Sequence, residues 1–234
     1  MKIKYRNYLR AIEYVRPFMN YSLTNETDIP EKKVLLISAN QVDETVFCAG
    51  TLIKHVRSGG TVETVFCTYE STKRMKEAEK ASGVIGSKIN HFLQLPQKSL
   101  DGNALFEKNL TAVFHKAKPE VVFLPFVIDG NADNAAVSKV IAKIGKNTKL
   151  HFIVYAYFAS SFIAPNAVFD VSDVWEEKKK AIECYKTRLE EKDYLKISQG
   201  IDSYYAQITG KPKYAEAFFK ATSYEYAGLV KDIL

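Results

Sequence analysis

The sequence predicts a single α/β domain, a mostly parallel sheet with helices on both faces. The strand-like runs Val34–Ile37, Val62–Thr68, Ile89–Leu95 and Glu120–Pro125 alternate with helix-favouring stretches, and that alternation calls for right-handed crossovers between parallel strands. The first run is apolar at every position, as a strand buried on both faces must be. A chain of 234 residues with 47% hydrophobic and 12% aromatic content can bury one sizeable core, and no composition break marks a second.

Residues 5–16 place Tyr5, Leu9, Ile12 and Val15 on one helical face, ended by Pro17. The basic residues Lys2, Lys4, Arg6, Arg10 and Arg16 around this face leave three partners open: the core, a second subunit or a lipid surface. Residues 20–32 are polar and read as a lead-in loop. The expected division is therefore 1–32, an N-terminal helix and lead-in segment, and 33–234, the domain proper.

Within the domain, Val46, Phe47, Leu52, Ile53 and Val56 recur at helical spacing over Thr45–Arg57, and Ser58-Gly59-Gly60 stops the helix. A strand at Val62–Thr68 leads to a helix over 73–82, ended by Gly83 and Gly86, and the strand Ile89–Leu95 stops at Pro96. A helix over Leu105–Lys116, a strand over Glu120–Pro125 and a helix over Ala135–Ile144 follow. Strands are expected at His151–Phe158 and Val168–Val171, then a long helix over Val174–Leu189 with Asp173 as its cap. Residues 190–234 read as helical, Ala215–Phe219 most plainly.

Composition narrows the function classes. No apolar run reaches the roughly 18–20 residues of a membrane span, and charges interrupt the first residues where a signal peptide would be apolar, so a cytoplasmic protein is expected. Cys48, Cys67 and Cys184 have no paired spacing and read as reduced core thiols. The net charge of +6 is dispersed, with lysines interleaved among glutamates, which describes solvated helix faces and no nucleic-acid surface.

Two strand-to-helix turns carry the polar chemistry. In one, Ser38–Glu44, stand Asn40, Asp43 and Glu44; in the other, Phe126–Asn134, stand Asp129, Asn131, Asp133 and Asn134. Open α/β sheets bind ligands at the carboxyl ends of their strands, so the two turns can face each other across a crevice. Asp and Asn in such turns also cap helices, and the residues alone leave both readings open.

The stretch VLLISANQVDETVFCAGTL resembles the first signature of the LmbE-like (PIG-L) N-acetylglucosaminyl deacetylases, His-Pro-Asp-Asp-Glu followed by a Gly-Gly-Thr-Leu helix. Asn40 takes the histidine place, Gln41 the proline, Val42 the first aspartate, Asp43 the second and Glu44 the glutamate. Arg74, Glu77 and Ala81 continue the similarity, as does FLQLPQKSL, with Gln97 where aspartate is usual. DGNADNAAVSKVI resembles the second signature, Asp-Gly-His-Pro-Asp-His, with Asn131 and Asn134 at the histidines. VFDVSDVWEEKKKAIECYKTR and YAEAF extend the likeness, which runs over roughly residues 33–219.

The resemblance implies a Rossmann-like domain of the LmbE-like deacetylase fold and a divalent metal, usually zinc, at Asn40, Asp43 and Asn134, with the general base at Val42. Valine accepts no proton, and one carboxylate with two amides suits zinc poorly. The reading is thus of a divergent member without a zinc cofactor, binding an amino-sugar conjugate or a sugar-modifying partner. Asn40, Glu44, Arg74, Gln97 and Asn131 are its candidate ligand-binding residues. The alternative is an active hydrolase with a rearranged site, in which Asp43, Asp129 or Asp133 recruits a harder metal or serves as base. A third reading is a basic scaffold meeting an anionic membrane through its N-terminal helix, and a homo-oligomer is left open. His55, His91, His115 and His151 lie outside both signatures and read as packing or surface residues.

Overall fold

The computed structural model describes residues 24–147, 151–160 and 165–233, together with Arg10 and Glu13. The helix expected over 5–16 lies, those two residues apart, outside the described residues. Strands β1 (Thr24–Glu26), β2 (Lys33–Ser38), β3 (Thr61–Tyr69), β4 (Ile89–Pro96), β5 (Val121–Pro125), β6 (Ile153–Tyr157), β7 (Ala167–Asp170) and β8 (Ala215–Thr222) form a sheet in the order β1-β7-β8-β6-β5-β2-β3-β4. All pairings are parallel except those of β8, which runs against both β6 and β7.

The helices are α1 (Asp43–Arg57), α2 (Thr72–Ile85), α3 (Ala104–Ala117), α4 (Ala132–Asn147), α5 (Trp175–Glu183), α6 (Lys186–Leu189), α7 (Tyr194–Thr209) and α8 (Ser223–Ile233). They cover both faces of the sheet. Successive side chains of β2 point to opposite faces: Leu35 and Ile37 enter one core with Phe106, Phe114, Val137 and Ile141, whereas Val34 and Leu36 enter another with Leu52, Ile53, Phe123 and Phe218. This two-sided burial explains why the run is apolar throughout. The chain leaves β2 toward β3 and β4, then returns to place β5 on the other side of β2. The sheet order reverses there, so the turns after β2 and β5 diverge and open a crevice between them.

Four expectations are corrected. Thr24–Glu26, expected as loop, pairs in parallel with β7 as an edge strand. The helix expected over 73–82 runs through Gly83 to Ile85 and ends at Gly86, one of the two glycines expected to end it, whose φ of 88° suits the left-handed cap that glycine adopts without strain. The long helix over 174–189 breaks at Cys184 and Tyr185 into α5 and α6, and Asp173 does not cap it: Asp173 lies in the 3-10 turn Ser172–Val174 and accepts from Lys54 Nζ at 3.2 Å.

Ala215–Phe219, the clearest helical segment by composition, is a buried strand filling the gap between β6 and β7. Tertiary context overrides the helix preference of alanine and glutamate here. The Glu216 carboxylate accepts from Gly50 N and Thr51 N at 2.8 Å each and pairs with Lys178 Nζ at 2.7 Å. A Cβ on Gly50 would lie 2.7 Å from Val171 Cβ and 3.1 Å from Glu216 Oε1, so only glycine admits this close approach.

Candidate functional site

The turn after β2 is fixed from below by Glu44. This side chain, 1% exposed, accepts from Ser38 Oγ at 2.9 Å and Val42 N at 3.0 Å through Oε2. Its Oε1 accepts from Thr45 Oγ1 at 2.8 Å and from the Tyr185 hydroxyl. Burial raises its pKa against the lowering by these donors. Glu44 thus braces the loop from inside the protein.

The brace holds Val42 at φ 104°, a conformation that costs a β-branched residue strain. Its side chain is buried with Val46, Phe66, Ala78, Ala81, Ile182 and Tyr185. The position that the resemblance assigns to the general base therefore packs in an apolar cluster.

The second turn is an Asx-rich frame. Asp129 Oδ1 accepts from Asn131 N at 2.8 Å and its Oδ2 from Ser160 N at 3.1 Å, while Asn131 Oδ1 accepts from Asp133 N at 2.9 Å. Asp133 is buried, and both its oxygens are used: Oδ2 by Lys98 N at 2.6 Å and Oδ1 by Leu100 N at 3.1 Å. It ties the segment carrying Gln97 and Lys98 to the start of α4.

The two turns meet where Asn40 Nδ2 donates to Asn134 Oδ1 at 3.4 Å. Between them opens a crevice of about 740 Å³ lined by Asn40, Asp43, Gln97, Asn131, Asp133 and Arg188, with Lys98, Gly130, Ala132, Ser160 and Tyr194 completing the wall. Among the sequence candidates, Arg74 lies in the adjoining groove of Tyr69, Glu70 and Glu191, ion-paired to both glutamates. Glu44 and Val42 lie beneath the crevice floor.

Arg188 and Tyr194 are crevice residues that sequence reasoning missed. Arg188 Nε donates to Gln41 O at 3.2 Å and its guanidinium pairs with Glu70 and Glu191. No local pattern distinguishes it from other helix-surface arginines; only the break between α5 and α6 turns it inward.

Asp43 has its pKa raised to about 7, by burial first and then by Glu44 and Asp129, against the lowering influence of Arg188 and an Asn40 hydrogen bond. Because the folded value is raised, the native state holds this proton more tightly than the unfolded chain. The associated stability is complete below about pH 4 and is lost as pH rises toward 7. Asp43→Asn is therefore expected to stabilise the protein by about 1–2 kcal/mol at pH 8, discounted because the side chain is partly open to the crevice. Urea titrations at pH 4 and pH 8 check this; the gain should vanish at pH 4.

The residues at the implied metal positions do not fit zinc. Two are amides that bond each other, Asn134 Nδ2 has no partner among the described residues, and only one carboxylate, that of Asp43, stands with them. Zinc takes imidazole, thiolate or carboxylate in a close tetrahedral set. Among the described residues no three His, Cys, Asp or Glu side chains converge as a metal set. Of the histidines, His55 is buried near Lys32 O and His91 pairs with Glu63.

The parallel sheet, the reversal at β2 and β5 and the crevice over two strand-to-helix turns define an α/β domain of the LmbE-like deacetylase fold. Residues 35–144 match the family described as PIG-L: GlcNAc-PI de-N-acetylase. The N,N'-diacetylchitobiose deacetylase from Pyrococcus horikoshii superposes with a TM-score of 0.72 at 19% identity, over 97% of this chain and 96% of its own. A conserved protein from Thermus thermophilus superposes equally, 0.72 at 20% identity, over 80% and 94%. The 4-carboxy-2-hydroxymuconate hydratase from Pseudomonas putida gives 0.66 at 20% identity over 81% and 96%. A hydratase beside deacetylases means that the fold alone does not fix the reaction. Among the described residues, no helix is long and apolar enough to cross a membrane.

Proposed function

We propose that this protein is a member of the deacetylase fold without zinc-dependent deacetylation, a cytoplasmic binder of an amino-sugar conjugate or a partner of sugar-modifying enzymes. One observation carries the reading: where the family would hold a metal and a base, Asn40 and Asn134 hydrogen-bond to each other at 3.4 Å and Val42 is buried. Amide hydrolysis needs a water activated by a metal or a base, and neither two amides nor a valine activates one. The crevice keeps what sugar recognition uses, planar amides at Asn40, Gln97 and Asn131 and the Arg188 guanidinium.

The test pairs metal analysis of protein purified without chelators with an acetate-release assay on N-acetylglucosamine conjugates, and with calorimetry on the same conjugates. Sub-stoichiometric zinc, no turnover and saturable binding are expected. Stoichiometric zinc with turnover would overturn the reading.

The raised pKa of Asp43 favours a second reading, an active hydrolase in which Asp43 is the general base. A carboxylate with a pKa of about 7 is matched to proton transfer at neutral pH. In that case Asp43→Ala abolishes a measurable hydrolysis; unchanged activity in the variant removes this reading.

A further inference from the structure

Beside the crevice lies a separate cavity of about 420 Å³, walled by Phe47, Phe158, Tyr204 and Tyr205, with Ile201 and Asp202. It sits at the same end of the strands, since Phe158 follows β6 and Glu216 lies at the start of the antiparallel β8. Ser160 lines both spaces, so the two are neighbours.

The wall of this cavity contains a charge arrangement that the crevice chemistry does not use. Lys178, fully buried, places Nζ 2.6 Å from Asp202 Oδ2 and 2.7 Å from Glu216 Oε1. Glu216 also receives two backbone N–H groups, but among the described residues Asp202 receives only the lysine. Two carboxylates share one ammonium, and both residues are part of the cavity wall. A buried carboxylate 2% exposed, with one oxygen undonated, faces a volume walled by aromatic rings.

Ionised, the trio carries an excess negative charge, and its backbone donors, Gly50 N and Thr51 N, both serve Glu216 and not Asp202. Ring faces attract a cation, and several rings around a carboxylate make a cage for an organic ammonium. We propose that this cavity is a second ligand site, taking a small primary ammonium with a flat or apolar body. Its charged head lies against Asp202 and its body between Tyr204, Tyr205, Phe47 and Phe158. Burial and Glu216 hold the Asp202 carboxyl up at about 8 against the influence of Lys178, so in the empty cavity a proton takes the place that the ligand's ammonium fills. The assignment is independent of what the crevice binds.

Benzylamine is the probe and benzyl alcohol its neutral counterpart, measured at pH 8 by calorimetry and by amide chemical-shift mapping on the full chain. The amine should bind at least about tenfold more tightly than the alcohol, with shifts centred on Gly200–Tyr205 and Phe158–Ser160. Asp202→Asn, which keeps shape and leaves Lys178 paired with Glu216, should remove that preference. Tyr204→Ala changes a residue 60% exposed and should weaken the amine several-fold without disturbing the fold. It decides the matter if Asp202→Asn does not fold. Equal binding of amine and alcohol, unchanged amine affinity in Tyr204→Ala, or shifts centred on the turns of Asn40 and Asn131 would each overturn the assignment.

Discussion

Replacing Asn40 and Asn134 together by histidine is expected to turn the crevice into a zinc site that raises the melting temperature by about 5–10 °C. Zinc at about 100-fold over its dissociation constant stabilises by roughly 2.7 kcal/mol, and a domain of this size shifts by about 2–4 °C for each kcal/mol. The geometry makes the result specific: the two amides already meet at 3.4 Å, and Asp43 stands on the same turn as Asn40. Two imidazoles and a carboxylate are the donor set that catalytic zinc sites use. The wild-type protein should show no shift at the same zinc concentration. An equal shift in both would mean that the amides suffice as ligands, which would sink the metal-free reading.

Adding Val42→Asp to that double variant separates metal from base. Aspartate tolerates positive φ better than a β-branched residue, so the backbone at φ 104° does not oppose the change. If the carboxylate reaches the crevice, acetate release should rise by about 10²–10⁴-fold over the double variant, the usual range for a positioned general base. No increase would show that the apolar cluster around Val46 and Phe66 retains the side chain.

The local sequence discloses an element when one physical term dominates it. β2 was legible because two-sided burial leaves no polar position in Val34–Ile37, and the turn after it because Asp and Asn crowd the start of a helix. β8 was not legible. Its Ala-Glu-Ala opening favours helix, and what makes it a strand is a gap between β6 and β7 and a buried lysine brought from α5, neither of which is adjacent in sequence. Arg188 escaped for a related reason, since its inward turn depends on the helix break at Tyr185, whose hydroxyl is held by Glu44 across the fold. The junctions after Ser38 and Pro125 do lead from strand to helix, as the alternation implies. The direction of Val42 was not readable, because a backbone at positive φ leaves no signature in residue type when the residue is valine.

Lys178→Met is expected to lower stability by about 3–5 kcal/mol, the usual consequence of removing one partner from a buried ion cluster, and so to lower the melting temperature by roughly 6–20 °C. The lysine stem is apolar and methionine replaces its volume, so lost packing contributes little. What remains is charge: Asp202 and Glu216 face each other in the interior without the ammonium that both contact at 2.6 and 2.7 Å. In the variant the folded state keeps the buried Asp202 carboxyl protonated at pH values where the unfolded chain ionises it, near pH 4. The native state then binds more protons, so the deficit grows as pH rises above about 4 and fades below it. Thermal melts of wild type and variant from pH 4 to pH 8 give the comparison directly. A deficit that stays constant over that range would assign the role of Lys178 to packing against Trp175, whose ring centroid lies 5.6 Å from the ammonium, and not to the carboxylates it joins.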